Sequence, residues 1–178
     1  MSAYLLDTSA VVAHYQKEVG HARVQALFDD EDAVLWLAAP SLLEMEACLR
    51  DIGLDAAIRR KTVDAYANEL MHIVAVDERV VRRAIEIRDA AVGRLPAMDA
   101  LISACAAVCG AVLVHRDSHF DTIPQQVLPS LRLSSKDDEA ATATAAWNVV
   151  KEARVTYKTR RKGRRTIKSG SAKRSPQV

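Results

Sequence analysis

The stretch AYLLDTSAVVAHY, residues 3–15, decides the fold. Residues 3–6 form a short unbroken apolar run, which is how a strand buried on both faces reads. The run stops at Asp7, and residues 9–15 continue as an amphipathic helical segment. The same alternation then runs down the chain. Apolar runs at 34–38, 72–76 and 111–115, with a weaker one at 131–133, are spaced by helical segments at 21–28, 41–51, 54–70, 78–91 and 98–108. In the segment 78–91, Val81, Ala84, Ile85 and Ile87 alternate with Arg82, Arg83, Glu86 and Arg88, the pattern of a helix that covers a sheet. Strands spaced by helices predict an α/β fold with a central parallel sheet flanked by helices.

Composition bounds the rest. The chain has 178 residues, 49% of them hydrophobic and 27% charged, which suits one globular domain with residues to spare. No apolar stretch reaches the roughly 18 residues of a membrane span. The opening segment carries Asp7 and has no basic start, so it is not expected to be a secretory signal, and a cytoplasmic location is expected. Cys48, Cys105 and Cys109 show neither a disulfide framework nor metal-ligand spacing. Cys105 and Cys109 are expected to pack as small apolar side chains on one helix face.

The net charge of +2 conceals an asymmetry. Residues 151–178 hold eleven Lys or Arg against Glu152 alone, so the remaining chain is acidic. The polar SSKDDE near residue 135 marks a boundary, giving an expected domain over 1–134 and an extension over 135–178. Within the extension a helix is expected at about 139–159 on composition. The basic remainder has too few apolar residues to bury a core and is expected to be disordered alone. Its Lys and Arg suit the phosphate backbone of RNA or the acidic body of the same chain.

Ligands of an open α/β sheet bind beyond the carboxyl ends of its strands. Four acids fall there: Asp7 after the first strand, Glu44 in the first helical turn after the second, Asp99 at the start of the helix 98–108, and Asp117 after the fourth strand. Each also has a local explanation. Asp7 is a helix cap candidate, Ser41 and Glu44 match a capping box, Asp99 suits a helix dipole, and Asp117 suits a turn. Gathered at one sheet edge, however, four carboxylates repel one another unless a cation neutralises them. Magnesium takes oxygen ligands and needs only one or two direct carboxylates. Such a site suits metal-assisted hydrolysis of a phosphodiester.

At these residues the chain resembles the PIN-domain family, and within it the VapC-type toxins of bacterial toxin–antitoxin pairs. The likeness rests on LLDTSAVVA, Glu44 after Ala39-Pro40-Ser41, MDALISACA and LVHRDSHFDTIP, in that order, over about residues 3–133. It implies a Mg2+- or Mn2+-dependent endoribonuclease, a homodimer, and a small cognate antitoxin as partner. Carried over by position, Asp7 and Asp99 are implied as the direct metal ligands, with Glu44 and Asp117 supporting them. Thr8 or Ser9 is implied to hydrogen-bond a water on the metal. Where many relatives carry a further acid, this chain has His119; either Asp121 substitutes or the site uses four acids only.

Around these, Arg116 faces the same rim as a phosphate contact, His115 is expected to pack at a strand end, and His119 to lie on the surface or, if protonated, to contact RNA phosphate. The arginines between Arg79 and Arg88 are expected on a solvated helix face. The same fold would also serve an RNA-processing nuclease without an antitoxin. A non-catalytic RNA- or protein-binding module, its acids serving only as caps, is the other reading. A dehalogenase-like phosphatase would want a second Asp where Ser9 stands. With 4% aromatic residues the chain offers no large stacking platform for bases.

Overall fold

The computed structural model describes residues 2–134. The expected extension over 135–178, with its helix at about 139–159 and its basic tail, lies outside the described residues. Five strands build one sheet: β1 (Ser2–Leu6), β2 (Ala33–Ala38), β3 (His72–Val74), β4 (Val112–His115) and β5 (Ser130–Arg132). All four pairings are parallel, in the order β3-β2-β1-β4-β5. The chain therefore leaves β1 toward β2 on one side and returns to β4 on the other, which makes a switch point between β1 and β4.

Among the described residues six α-helices accompany this sheet: α1 (Thr8–Tyr15), α2 (His21–Phe28), α3 (Ala39–Asp51), α4 (Ala56–Asp64), α5 (Glu78–Ala90) and α6 (Ala97–Val108). Side chains alternate between the faces of a strand. Leu5 and Leu113 join one core with Ile87 of α5 and Ile102 of α6, while Leu6, Leu37 and Val114 join the other with Val11, Val24, Met45 and Leu49. Burial on both faces explains why the strands read as unbroken apolar runs. The alanine-rich α6 buries Ala100, Ala104 and Ala106, and so can lie close against the sheet.

Three expectations need correcting. In α5 the buried stripe is Val80, Ala84 and Ile87, a spacing of four then three, and Val81 and Ile85 stand exposed at 42% and 57%. The expected long helix 54–70 starts only at Ala56, where Asp55 accepts hydrogen bonds from Ala57 N and Ile58 N. Its end widens into a π-helical turn, Ala65–Leu70, which carries Tyr66 into the core. Finally, β2 runs straight into α3 with no connecting residue, because Pro40 in the first turn of α3 fixes a helical φ early. Ser41 therefore lies inside the helix instead of capping it, and Glu44 falls in the second turn instead of the expected first.

Candidate active site

Residues just beyond β1 and β4, the middle of α3 and the first turn of α6 line an open cleft of about 620 Å3. Asp7, Glu44, Asp99 and Asp117 all line it, so the four acids expected at the sheet edge come together. Asp7 is brought there by a ladder contact, since its N–H donates to Val114 O at 2.9 Å. It also caps α1 by accepting from Ser9 N at 2.9 Å, and the Ser9 hydroxyl donates to the same oxygen, Oδ2. Ser9 Oγ in turn accepts from Arg116 N at 3.0 Å, tying the loop after β4 to the loop after β1.

Glu44 has no capping role. The residue before α3 is Ala38, no side chain caps that helix, and Ser41 Oγ is buried without a hydrogen bond. The Glu44 carboxylate instead accepts from Thr8 Oγ1 at 2.6 Å. Asp99 sits in the first turn of α6, three residues after Pro96, and its Oδ2 is buried with no hydrogen-bond partner. Asp117 caps a short 3-10 turn, Ser118–Thr122, by accepting from His119 N at 2.9 Å. The expected cap and turn roles of Asp7 and Asp117 thus hold alongside their place in the cleft.

The electrostatics are those of an unneutralised acidic site. Burial pushes the Asp7 carboxyl up to about 6, against hydrogen bonds from Ser9 that lower it, and the charges of Glu44 and Asp99 raise it further. Asp99 is raised as well, first by burial and then by Asp117, with His119 pulling the other way. Carboxylates this close favour a cation or a proton. The donor set fits a hard divalent cation: oxygen ligands, one of them a buried carboxylate oxygen that the protein itself leaves unbonded. Asp99, Asp117 and His119 each offer a ligand atom, all within 4.8 Å of one another.

Other expected site residues fall differently. The hydroxyls of Thr8 and Ser9 donate to Glu44 and Asp7, so both are engaged with acids. Arg116 lines the cleft, but its guanidinium pairs with Glu18 at 2.6 Å. His119 leans over the acids, with Nδ1 3.1 Å from Asp117 Oδ1 and 3.4 Å from Asp99 Oδ2. Asp121 turns to Arg132 at 2.8 Å instead of entering the site. His115 is fully buried, its Nδ1 bonded to Asp117 O at 2.9 Å and its ring against Phe120, as a packing residue should be.

Of the α5 arginines, Arg82 pairs with Glu78 and Arg83 with Glu86, while Arg79 and Arg83 also donate to Val108 O and Val127 O elsewhere in the fold. Cys105 is buried, and Cys109 is partly exposed at the end of α6. Sequence reasoning passed over Cys48, which lines the cleft; lying four residues after Glu44, it shares that helix face.

A sequence model of the PIN domain matches residues 4–125. No curated protein matches the sequence. Among solved structures, VapBC2 from Rickettsia felis bound to a DNA fragment from its promoter superposes with a TM-score of 0.59 at 17% identity, over 74% of this chain and 99% of that one. VapBC-5 from Mycobacterium tuberculosis, a member of the VapBC family of toxin–antitoxin systems, gives 0.55 at 21%, over 74% and 99%. Mycobacterium tuberculosis VapC20, a sarcin–ricin loop cleaving toxin, gives 0.54 at 16%, over 67% and 93%. At such identities the likeness is one of fold. Among the described residues no helix is long and apolar enough to cross a membrane.

Proposed function

This chain belongs to the PIN-domain family, and from that premise we propose that it is a divalent-metal-dependent endoribonuclease acting as the toxin of a toxin–antitoxin pair. The observation that carries the reading is the convergence of Asp7, Glu44, Asp99 and Asp117, from four separate places in the chain, on one cleft at the strand ends. Glu44 weighs most against a binding module whose acids are caps, because it caps nothing and is held by Thr8.

Asp7 and Asp99 would hold Mg2+ or Mn2+ directly, and Glu44 and Asp117 would support them. When bound, the cation polarises a phosphoryl oxygen and makes a water nucleophilic near neutral pH. The protein contributes position. Thr8 fixes the Glu44 carboxylate, and Ser9 fixes Asp7 through Oδ2. The open cleft admits an extended phosphodiester backbone, with Arg116 and His119 at its rim. The substrate is RNA, and the partners are a small cognate antitoxin and a second copy of the chain. The toxin–antitoxin context of the VapBC structures supports the antitoxin.

The test is cleavage of total RNA by antitoxin-free protein with Mg2+ or Mn2+, beside EDTA and Asp7→Asn controls. Discrete fragments that require metal and vanish in the variant are expected. Folded protein that neither cuts RNA nor binds either ion would sink the proposal.

A further inference from the structure

Among the acids of the cleft stands one nitrogen donor. The 3-10 turn Ser118–Thr122 is pinned at both sides of His119: Asp117 accepts from the His119 backbone N–H, and Phe120 is buried to 1% exposure against the His115 ring. With residue 120 anchored inward, the imidazole of residue 119 meets the acids, 3.1 Å from Asp117 and 3.4 Å from Asp99. The side chain keeps 49% of its surface exposed, so its place is not imposed by core packing.

A ring nitrogen carries either one proton or one lone pair. Asp99 Oδ2 has no hydrogen bond, although the ring nitrogen stands 3.4 Å away. A cation among the three groups would bond all of them. The two separations from His119, 3.1 and 3.4 Å, are of the right order, since two ligands at right angles on bonds of about 2.1 Å stand about 3 Å apart.

We propose that His119 is a metal ligand, completing with Asp99 and with Asp117, which thereby becomes a direct ligand instead of a supporting one, a mixed nitrogen–oxygen site that prefers a first-row transition ion such as Mn2+ over Mg2+. The proposal rests on the carboxylate-site reading above and deepens it. Mg2+ is a hard ion that favours oxygen ligands and parts reluctantly with its waters. Imidazole suits transition ions, whereas carboxylates accept Mn2+ and Mg2+ alike. Replacing an oxygen ligand by His119 therefore tilts the site away from Mg2+ without closing it to Mn2+.

The experiment is pulsed EPR of the full-length protein loaded with Mn2+, with binding followed by the loss of the free-ion signal. Nitrogen-14 modulation from a coordinated imidazole is expected in the wild type and in His72→Gln, and not in His119→Gln. Mn2+ affinity should drop about tenfold in His119→Gln. His119→Asp should let Mg2+ displace Mn2+ at lower concentration than in the wild type. Thermal melts check that both variants fold. Bound Mn2+ without nitrogen modulation, or modulation that survives in His119→Gln, overturns the role of His119 and leaves the carboxylate site standing. Folded wild-type protein that binds no Mn2+ overturns both.

Discussion

Thr8 Oγ1 donates a 2.6 Å hydrogen bond to Glu44 Oε2, joining the first residue of α1 to the middle of α3 across 36 positions of sequence. The bond fixes an acid that no local rule of helix capping would have fixed. Thr8→Val keeps the shape and removes the donor. Melting should fall by about 1 kcal/mol, the ordinary worth of one hydrogen bond. Cleavage at limiting metal should fall roughly ten- to a hundredfold, as for other groups that orient a ligand. Rates taken across a metal titration, beside a melt, separate the two effects; equal rates at every metal concentration would deny Thr8 its positioning role.

Asp7 gives the metal-free protein an acid-favouring component of stability. Its folded pKa of about 6 lies above the ordinary value of 3.8. The contribution is therefore fully present below 3.8 and is lost as pH rises through about 6. A shift of that size corresponds to about 3 kcal/mol. Asp7→Asn retains a capping oxygen and carries no charge to bury. In EDTA it should melt above the wild type at pH 7 to 8, with the gap closing toward pH 4. Melts across that range decide it, and a gap independent of pH would show that burial of the Asp7 charge is not the cause.

Loading the site should stabilise the fold, since a cation relieves repulsion that only the folded chain suffers. At a hundred times the dissociation constant the gain is about 2.7 kcal/mol, or several degrees of melting temperature. Asp99→Asn, which removes the charge beside the unbonded oxygen, should abolish most of the shift. Scans with Mn2+ and with EDTA on both proteins make the comparison.

His115 should resist protonation. It is fully buried, and burial pushes its imidazole below the ordinary 6.5. A depressed folded pKa means stability that is present above 6.5 and lost as pH falls through the folded value, the opposite trend to Asp7. Imidazole NMR on the metal-free protein should show His115 still neutral at pH 6.5. An imidazolium signal for His115 at that pH would overturn this.

The sequence made the architecture legible because burial on both faces writes itself as apolar runs: residues 34–38 and 111–115 match β2 and β4 to within one residue at each end. Asp7, Asp99 and Asp117 were legible because each directly follows a strand or opens a helix, and Glu44 because it lies in the helix that follows the second strand. What depended on contacts far along the chain was not. The S-x-x-E pattern at Ser41 and Glu44 misled because Pro40 starts the helix earlier, and the true partner is Thr8. Arg116 finds Glu18, and Asp121 finds Arg132, by tertiary proximity alone. Val81 and Ile85 lost the inward face of α5 to Val80 and Ile87 because apolar residues outnumbered the places available, a choice that packing makes.

The seamless passage from Ala38 to Ala39 has an evolutionary corollary. A single residue inserted there would turn α3 by about 100° and carry Glu44 out of the cleft. Descent with insertions is thus barred at that junction, while the longer links between Gln16 and Gly20 and between Ala91 and Pro96 can absorb them. Lineages of this fold can diversify in length and in the surfaces they offer other molecules, yet the step from second strand to third helix should remain the same length in all that keep the acid.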